Sequence, residues 1–143
     1  MKKSTLILTL IVSVVISSCS VMKKNTAAKQ DNSDLSGEWV LTYITGPRIA
    51  FDGLYPENKP NIIFDLENNR ISGNNSCNSY GGEVMLNKGK IKIDKTFSTM
   101  MACQGIGEDT YMSMLKNIET FKVNVDTLSF YKDEIEMMRF LKK

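Results

Sequence analysis

The chain has 143 residues, enough for one domain. Hydrophobic residues make up 42% and charged residues 24%, an ordinary globular balance, and 18 basic against 16 acidic side chains leave a formal charge of +2. Histidine is absent, which excludes Ser-His-Asp triads, Cys-His pairs, histidine metal sites and histidine proton shuttles.

The first residues read as an address. Lys2 and Lys3 form a basic start, and Leu6 to Ile16 is an apolar run. That run is shorter than the roughly 20 residues a bilayer span needs, and it fits the apolar region of a secretory signal. It ends in Ile16-Ser17-Ser18-Cys19, which resembles a bacterial lipobox: an aliphatic residue, two small ones, then a thiol that can carry lipid by a thioether link. The expectation is a signal peptide over residues 1–18 and lipidation at Cys19. Multiple acyl chains on one cysteine would make a stable membrane anchor. The alternative is an ordinary signal peptide with a chance cysteine. Ser20 is not acidic, and by resemblance this points to the outer membrane of a bacterial envelope, on its periplasmic face. Without Lys2 and Lys3 the charges cancel, so no basic footprint for nucleic acid remains.

Residues 19–34 read as the lipidated cysteine and a flexible tether, polar and free of aromatics. The domain is then residues 35–143. Glu38 to Ile44 is strand-like and holds the one tryptophan, Trp39. Gly46-Pro47 breaks it, and a loop runs from Thr45 to Asn61. Ile62, Phe64 and Leu66 alternate as a half-buried strand does. Glu67-Asn68-Asn69 is turn chemistry, and Arg70 to Gly73 opens the next strand. Glu83–Leu86 and Lys90–Asp94 flank Asn87-Lys88-Gly89, a hairpin signal.

Tyr111, Met114, Leu115 and Ile118 fall at helical spacing, so a helix is expected over about residues 107–119. Glu108 and Asp109 suit its first turn, where the helix dipole favours negative charge. Phe121, Val123 and Val125 return to period two. Leu128 and Phe130 follow a turn at Asp126-Thr127. Ile135–Leu141 closes the pattern, with a bulge signal at Met137-Met138. The expected fold is mainly β: a small antiparallel barrel or highly curved sheet of eight or nine strands with one helix.

Several landmarks line up: Leu35-x-Gly37-x-Trp39-x-Leu41; Ser72-Gly73-x-x-x-Cys77-Asn78-x-Tyr80-x-Gly82; and Thr99-x-Met101-Ala102-Cys103 ahead of the helix. Together they resemble the META domain, the HslJ-like family of bacterial envelope proteins, across about residues 35–141. Ser76 stands where the family often has glycine, and Met100 where a basic residue is common. The resemblance implies a compact barrel with one helix, often presented as a lipoprotein, and associations with stress tolerance. It implies no reaction and supplies no catalytic residue. It marks Trp39, Ser72, Gly73, Asn78, Tyr80, Gly82, Thr99, Met101 and Ala102 as structural motif positions.

Cys77 and Cys103 both lie in the two family segments. With Cys19 lipidated they are an even pair in an oxidising compartment, where a disulfide is expected. Such a bond stabilises by roughly 3 kcal/mol through chain entropy. Two buried thiols or a redox pair are the alternatives, the latter disfavoured because neither cysteine is part of a Cys-x-x-Cys. Two separated cysteines make a poor zinc site. The methionines suit core filling better than Cu(I) binding. No metal and no cofactor is expected. Ser113-x-x-Lys116 matches a bare hydrolase spacing without its supporting motifs.

The loop carrying Ile49, Phe51, Leu54 and Tyr55 is the candidate interaction surface, against the alternative that it caps one barrel end. The expected function is a non-catalytic, lipid-anchored envelope protein that contributes to stress tolerance by binding another protein or an envelope component. The alternative is a carrier holding a small apolar ligand in the barrel mouth, and an enzyme is the least favoured reading.

Overall fold

A computed structural model describes residues 32–143. Cys19, the signal peptide and most of the tether lie outside the described residues. A 3-10 turn, Asn32–Leu35, leads into β1 (Gly37–Ile44). The strands that follow are β2 (Asn61–Asp65), β3 (Arg70–Asn74), β4 (Ser79–Asn87), β5 (Lys90–Ser98), β6 (Thr120–Asn124), β7 (Thr127–Lys132) and β8 (Ile135–Lys142). A short helix, α1 (Phe51–Leu54), sits between β1 and β2, and α2 (Gly107–Asn117) between β5 and β6. Each strand pairs antiparallel with the next, and β8 returns to β1, closing a barrel.

Period two decides which side chains enter the barrel. In β5 Ile91 and Ile93 are buried while Lys90, Lys92 and Asp94 are exposed. In β2 Ile62 and Phe64 are buried while Ile63 and Asp65 face out. Bulges re-aim three strands. Leu41 pairs with Phe140 but Tyr43 with Arg139, so Thr42 is the extra residue on β1. Phe130 pairs with Met138 and Tyr131 with Glu136, which puts the bulge expected near Met137-Met138 at Met137. The third lies on β5 opposite Gly81–Glu83, where Lys95 has φ 46°.

One seam of the ring is narrow. β5 and β6 pair only at Lys90 and Thr120, supported by Ile91 N–H to Glu119 O and Phe121 N–H to Gly89 O. The helix α2 lies against β5 and completes the core there with fully buried Tyr111 and Leu115. The strand expected through Val125 stops at Asn124, and the turn is Val125-Asp126 rather than Asp126-Thr127.

The interior is filled by the chain itself. Trp39, Tyr111, Phe121, Phe130 and Phe140 are fully buried, and Phe130 and Phe140 meet edge to face with centroids 5.3 Å apart. Leu35 and Trp39 close the end where the described chain begins, with Trp39 Nε1–H donating to Leu35 O at 2.8 Å. Leu54, Tyr55 and Tyr80 close the other. A ligand held in the barrel mouth would have to displace these side chains, so the carrier expectation does not fit this interior.

The interaction loop needs the same correction. Leu54 and Tyr55 are 7% and 2% exposed, because α1 turns them onto the core and Tyr55 Oη donates to Gly107 O at 3.1 Å. Phe51 is half-buried and packs against Tyr55 at 5.2 Å. Ile49 alone of the four remains exposed. The segment caps a barrel end.

Candidate functional site

The residues of the two family segments meet at the end of the barrel where β3, β4, β5 and α2 have their adjoining termini. The turn from β3 to β4 is built by asparagines, whose short amides bond the nearby backbone. Asn75 Oδ1 accepts from Asn78 N–H at 2.7 Å and Cys77 N–H at 3.3 Å, and Asn75 N–H donates to Asn78 O at 2.9 Å. Asn74 Oδ1 accepts Ser76 N–H at 2.8 Å. Ser76 has φ 90°, the backbone state that favours glycine, at the position where the family often carries glycine.

Asn78 is the hub and is 2% exposed. Its Oδ1 accepts from Thr99 Oγ1 at 2.7 Å and Met101 N–H at 2.8 Å. Its Nδ2 donates to Met101 O at 3.1 Å and to both Glu108 carboxylate oxygens at 2.9 and 3.1 Å. Asn75 Nδ2 adds a bond to Glu108 Oε1 at 2.8 Å. Glu108 thus sits in the first turn of α2, where the dipole favours its charge, and fastens the helix to the β3–β4 turn. The loop between β5 and α2 is held through Asn78 and through Cys103, which the structure joins to Cys77 with Cα atoms 6.1 Å apart. Cys77 is half-buried and Cys103 exposed.

A second network lies beneath. Asn61 O receives Tyr80 Oη at 3.0 Å and Tyr111 Oη at 3.1 Å, the two hydroxyls being 2.8 Å apart. Burial holds both phenols well above the ordinary tyrosine range. Asn61 Oδ1 accepts Asn74 N–H at 2.6 Å, and its Nδ2 donates to Glu38 at 2.7 Å. That bond, with Lys143 close by, holds the Glu38 carboxyl below its usual range.

The other motif residues have mechanical roles. A Cβ on Gly73 would lie 2.2 Å from Asn61 O, so only glycine lets β2 and β3 approach so closely. Ser72 is exposed on the outer face of β3. At Gly82 a Cβ would crowd Thr96 and Asp94 O at 3.0 and 3.1 Å. Met101 takes part through its backbone while its side chain is 61% exposed, and Ala102 is exposed beside it. Trp39 belongs to the core at the far end.

A cleft of about 530 Å³ with a mixed polar and apolar lining opens beside this brace, lined by Leu54, Glu57, Met101, the disulfide, Gly105, Glu108 and Asp109. Met100, at 97% exposed, and Ile106, at 52%, flank the loop. Among the described residues no three or more cysteine, aspartate or glutamate side chains come together to hold a metal. Nor is any described helix long and apolar enough to cross a membrane.

The sequence alone does not single out Asn61 or Asn75, and it marks Glu108 as a first-turn acid and a landmark of the family resemblance without naming its partners. The run Asn74-Asn75-Ser76-Cys77-Asn78 carried the usable signal, since such density of short amides marks turns that bond their own backbone.

Comparison with known proteins agrees with this arrangement. The META domain family model matches residues 33–143. An NMR structure of a protein from Burkholderia xenovorans superimposes with a TM-score of 0.63 at 22% identity, over 76% of this chain and 82% of that one. A crystal structure of a DUF4847 family protein from Bacteroides vulgatus gives a TM-score of 0.55 at 12% identity, over 75% of this chain and 92% of that one. At these identities the likeness is one of fold. Among curated proteins nothing matches the chain.

Proposed function

The chain belongs to the META domain family, and from that premise we propose that it is a non-catalytic, lipid-anchored protein of the bacterial envelope. In this reading the domain stands on the periplasmic face of the outer membrane. It contributes to stress tolerance by binding another envelope protein. The observation that carries the reading is the use made of the motif side chains. Both ends of the Asn78 amide and both oxygens of Glu108 are engaged in fastening one loop and one helix to a turn. Polar groups committed in this way are poor candidates for proton transfer or nucleophilic attack. The braced loop instead presents apolar Met100, Met101 and Ile106 to solvent, a suitable surface for a partner.

The test is made on the full chain expressed in a bacterium with two membranes. After membrane separation, intact mass should give a mature protein starting at Cys19 and carrying acyl chains. A Cys19→Ala variant should leave the outer-membrane fraction. A strain lacking the protein should lose tolerance to envelope stress, and the wild-type chain but not Cys19→Ala should restore it. A substrate turned over by the purified protein, with turnover abolished by Glu108→Gln, would refute the non-catalytic reading.

A further inference from the structure

The strands alternate in direction around the ring, so the chain's described ends share one end of the barrel with the β2–β3, β4–β5 and β6–β7 turns. Backbone bonds tie that end together: Lys142 N–H donates to Asp126 O at 2.9 Å, and Lys143 N–H to Glu38 O at 3.0 Å. Val125 forms the tip of the β6–β7 turn. It is 83% exposed and has φ 54°. A β-branched residue is strained in that conformation, and an exposed valine gains no core packing in return. A local rule broken without a packing gain marks a place where something other than folding sets the residue.

The surroundings indicate what that is. Leu141 is 48% exposed on β8 and pairs with Thr127, directly after the tip. Lys88 at the β4–β5 tip, Lys122 on β6 and Lys142 on β8 are all exposed, interspersed with the exposed carboxylates of Asp65, Glu67 and Asp126, and Lys122 and Lys142 lie over the Tyr131 and Trp39 rings. Lys143 is occupied by Glu38 at 3.2 Å. The chain enters this same end at Asn32, and the residues between it and Cys19 span at most about 45 Å when fully extended. A lipid on Cys19 therefore keeps this end, with its apolar tip and its lysines, within about 45 Å of the bilayer.

We propose that this end of the barrel is a membrane-contacting surface. Val125 and Leu141 reach into the boundary between headgroups and acyl chains, and Lys88, Lys122 and Lys142 meet anionic headgroups. The cleft beside Glu108 then faces away from the membrane, open to partners. The inference rests on the lipid-anchor reading.

The experiment uses the mature lipidated protein in phosphatidylethanolamine vesicles with about a quarter phosphatidylglycerol. A water-soluble acylating reagent modifies lysines, and peptide mass spectrometry gives the rate at each. Against detergent micelles, Lys88, Lys122 and Lys142 should react about fivefold more slowly in vesicles, while Lys59 and Lys95 keep their rates. Val125→Asp should abolish that protection, and phosphatidylcholine vesicles should weaken it. Equal rates at all lysines would overturn the proposal. So would protection of Lys59 and Lys95 instead, or protection as strong on phosphatidylcholine. Intact mass reads the anchor separately. Lipidated Cys19 with uniform labelling refutes the surface alone. An unlipidated Cys19 refutes the anchor, and the surface is then judged by the same labelling after adding vesicles to the soluble protein.

Discussion

Asn78 and Glu108 stand 30 residues apart in sequence, and the Asn78 amide nitrogen lies 2.9 and 3.1 Å from the two Glu108 carboxylate oxygens. Removing the amide strands more than one group. In Asn78→Ala, Glu108 loses its main donor, and Thr99 Oγ1 and Met101 N–H lose their acceptor. Leaving such groups unpaired costs about 1–3 kcal/mol each where they are buried, and this site is partly buried, so a loss of about 2–4 kcal/mol is expected. The urea midpoint measures it. A change of only about 0.5 kcal/mol, typical of a surface substitution, would show that the brace is ornamental.

Reduction of the Cys77–Cys103 bond should act on the unfolded chain more than on the barrel. The bond closes a span of 26 residues, for which chain entropy gives about 3 kcal/mol. Neither cysteine lies in a strand, so far-ultraviolet circular dichroism should survive reduction while the denaturation midpoint falls. The double variant Cys77→Ser, Cys103→Ser should match the reduced protein. Loss of the β spectrum on reduction at room temperature would show that the barrel depends on the bond.

Local periodicity revealed most elements, because strands and helices write their own burial into the sequence. Ile91 and Ile93 alternate with lysines, and Tyr111, Leu115 and Ile118 fall on one helical face; all five are buried. The closure of β1 on β8 has no such signature, since Trp39 and Lys142 meet only through the whole fold. Leu54 and Tyr55 looked like an exposed loop for the same reason. Their burial depends on Gly107, whose carbonyl receives the Tyr55 hydroxyl from 52 residues away. At the brace, the motif residues were visible but their partners were not, because a hydrogen bond between side chains of distant segments leaves no spacing to read.

Two glycines of the motif region should respond differently to the same methyl group. A Cβ at Gly73 meets the Asn61 backbone carbonyl at 2.2 Å, which can yield only if β2 moves. Gly73→Ala should destabilise by about 3 kcal/mol or more, the upper range for overpacking. At Gly81 the nearest atoms belong to the Phe97 ring, at 2.6 Å, and Phe97 is 68% exposed and free to swing. Gly81→Ala should cost about 1 kcal/mol or less. Equal midpoints for the two variants would contradict the close approach at Asn61.

Alkaline pH should weaken the fold through Tyr80 and Tyr111. Burial disfavours the phenolate and raises both groups above the ordinary value. In the unfolded chain they ionise near pH 10. Their contribution is therefore complete below about pH 10 and is lost above it, because the unfolded state releases its protons first. Each group adds a downward slope approaching about 1.4 kcal/mol per pH unit. Urea midpoints taken across this range, compared with those of Tyr111→Phe, measure one group's share. An unchanged slope in that variant would mean that Tyr111 does not carry the effect.

Val125 should show stability and membrane contact pulling in opposite directions. Its φ of 54° suits asparagine far better than a β-branched residue. Its side chain is 83% exposed, so replacement sacrifices little packing. Val125→Asn should therefore raise stability by about 1 kcal/mol, the left-handed penalty that a β-branched residue bears and asparagine largely escapes. The same substitution removes the apolar tip, so lysine protection in anionic vesicles should fall toward the micelle rates. Denaturation in solution and labelling on vesicles read the two effects independently. A variant that gained stability and kept full protection would leave the strained valine without a role at the membrane.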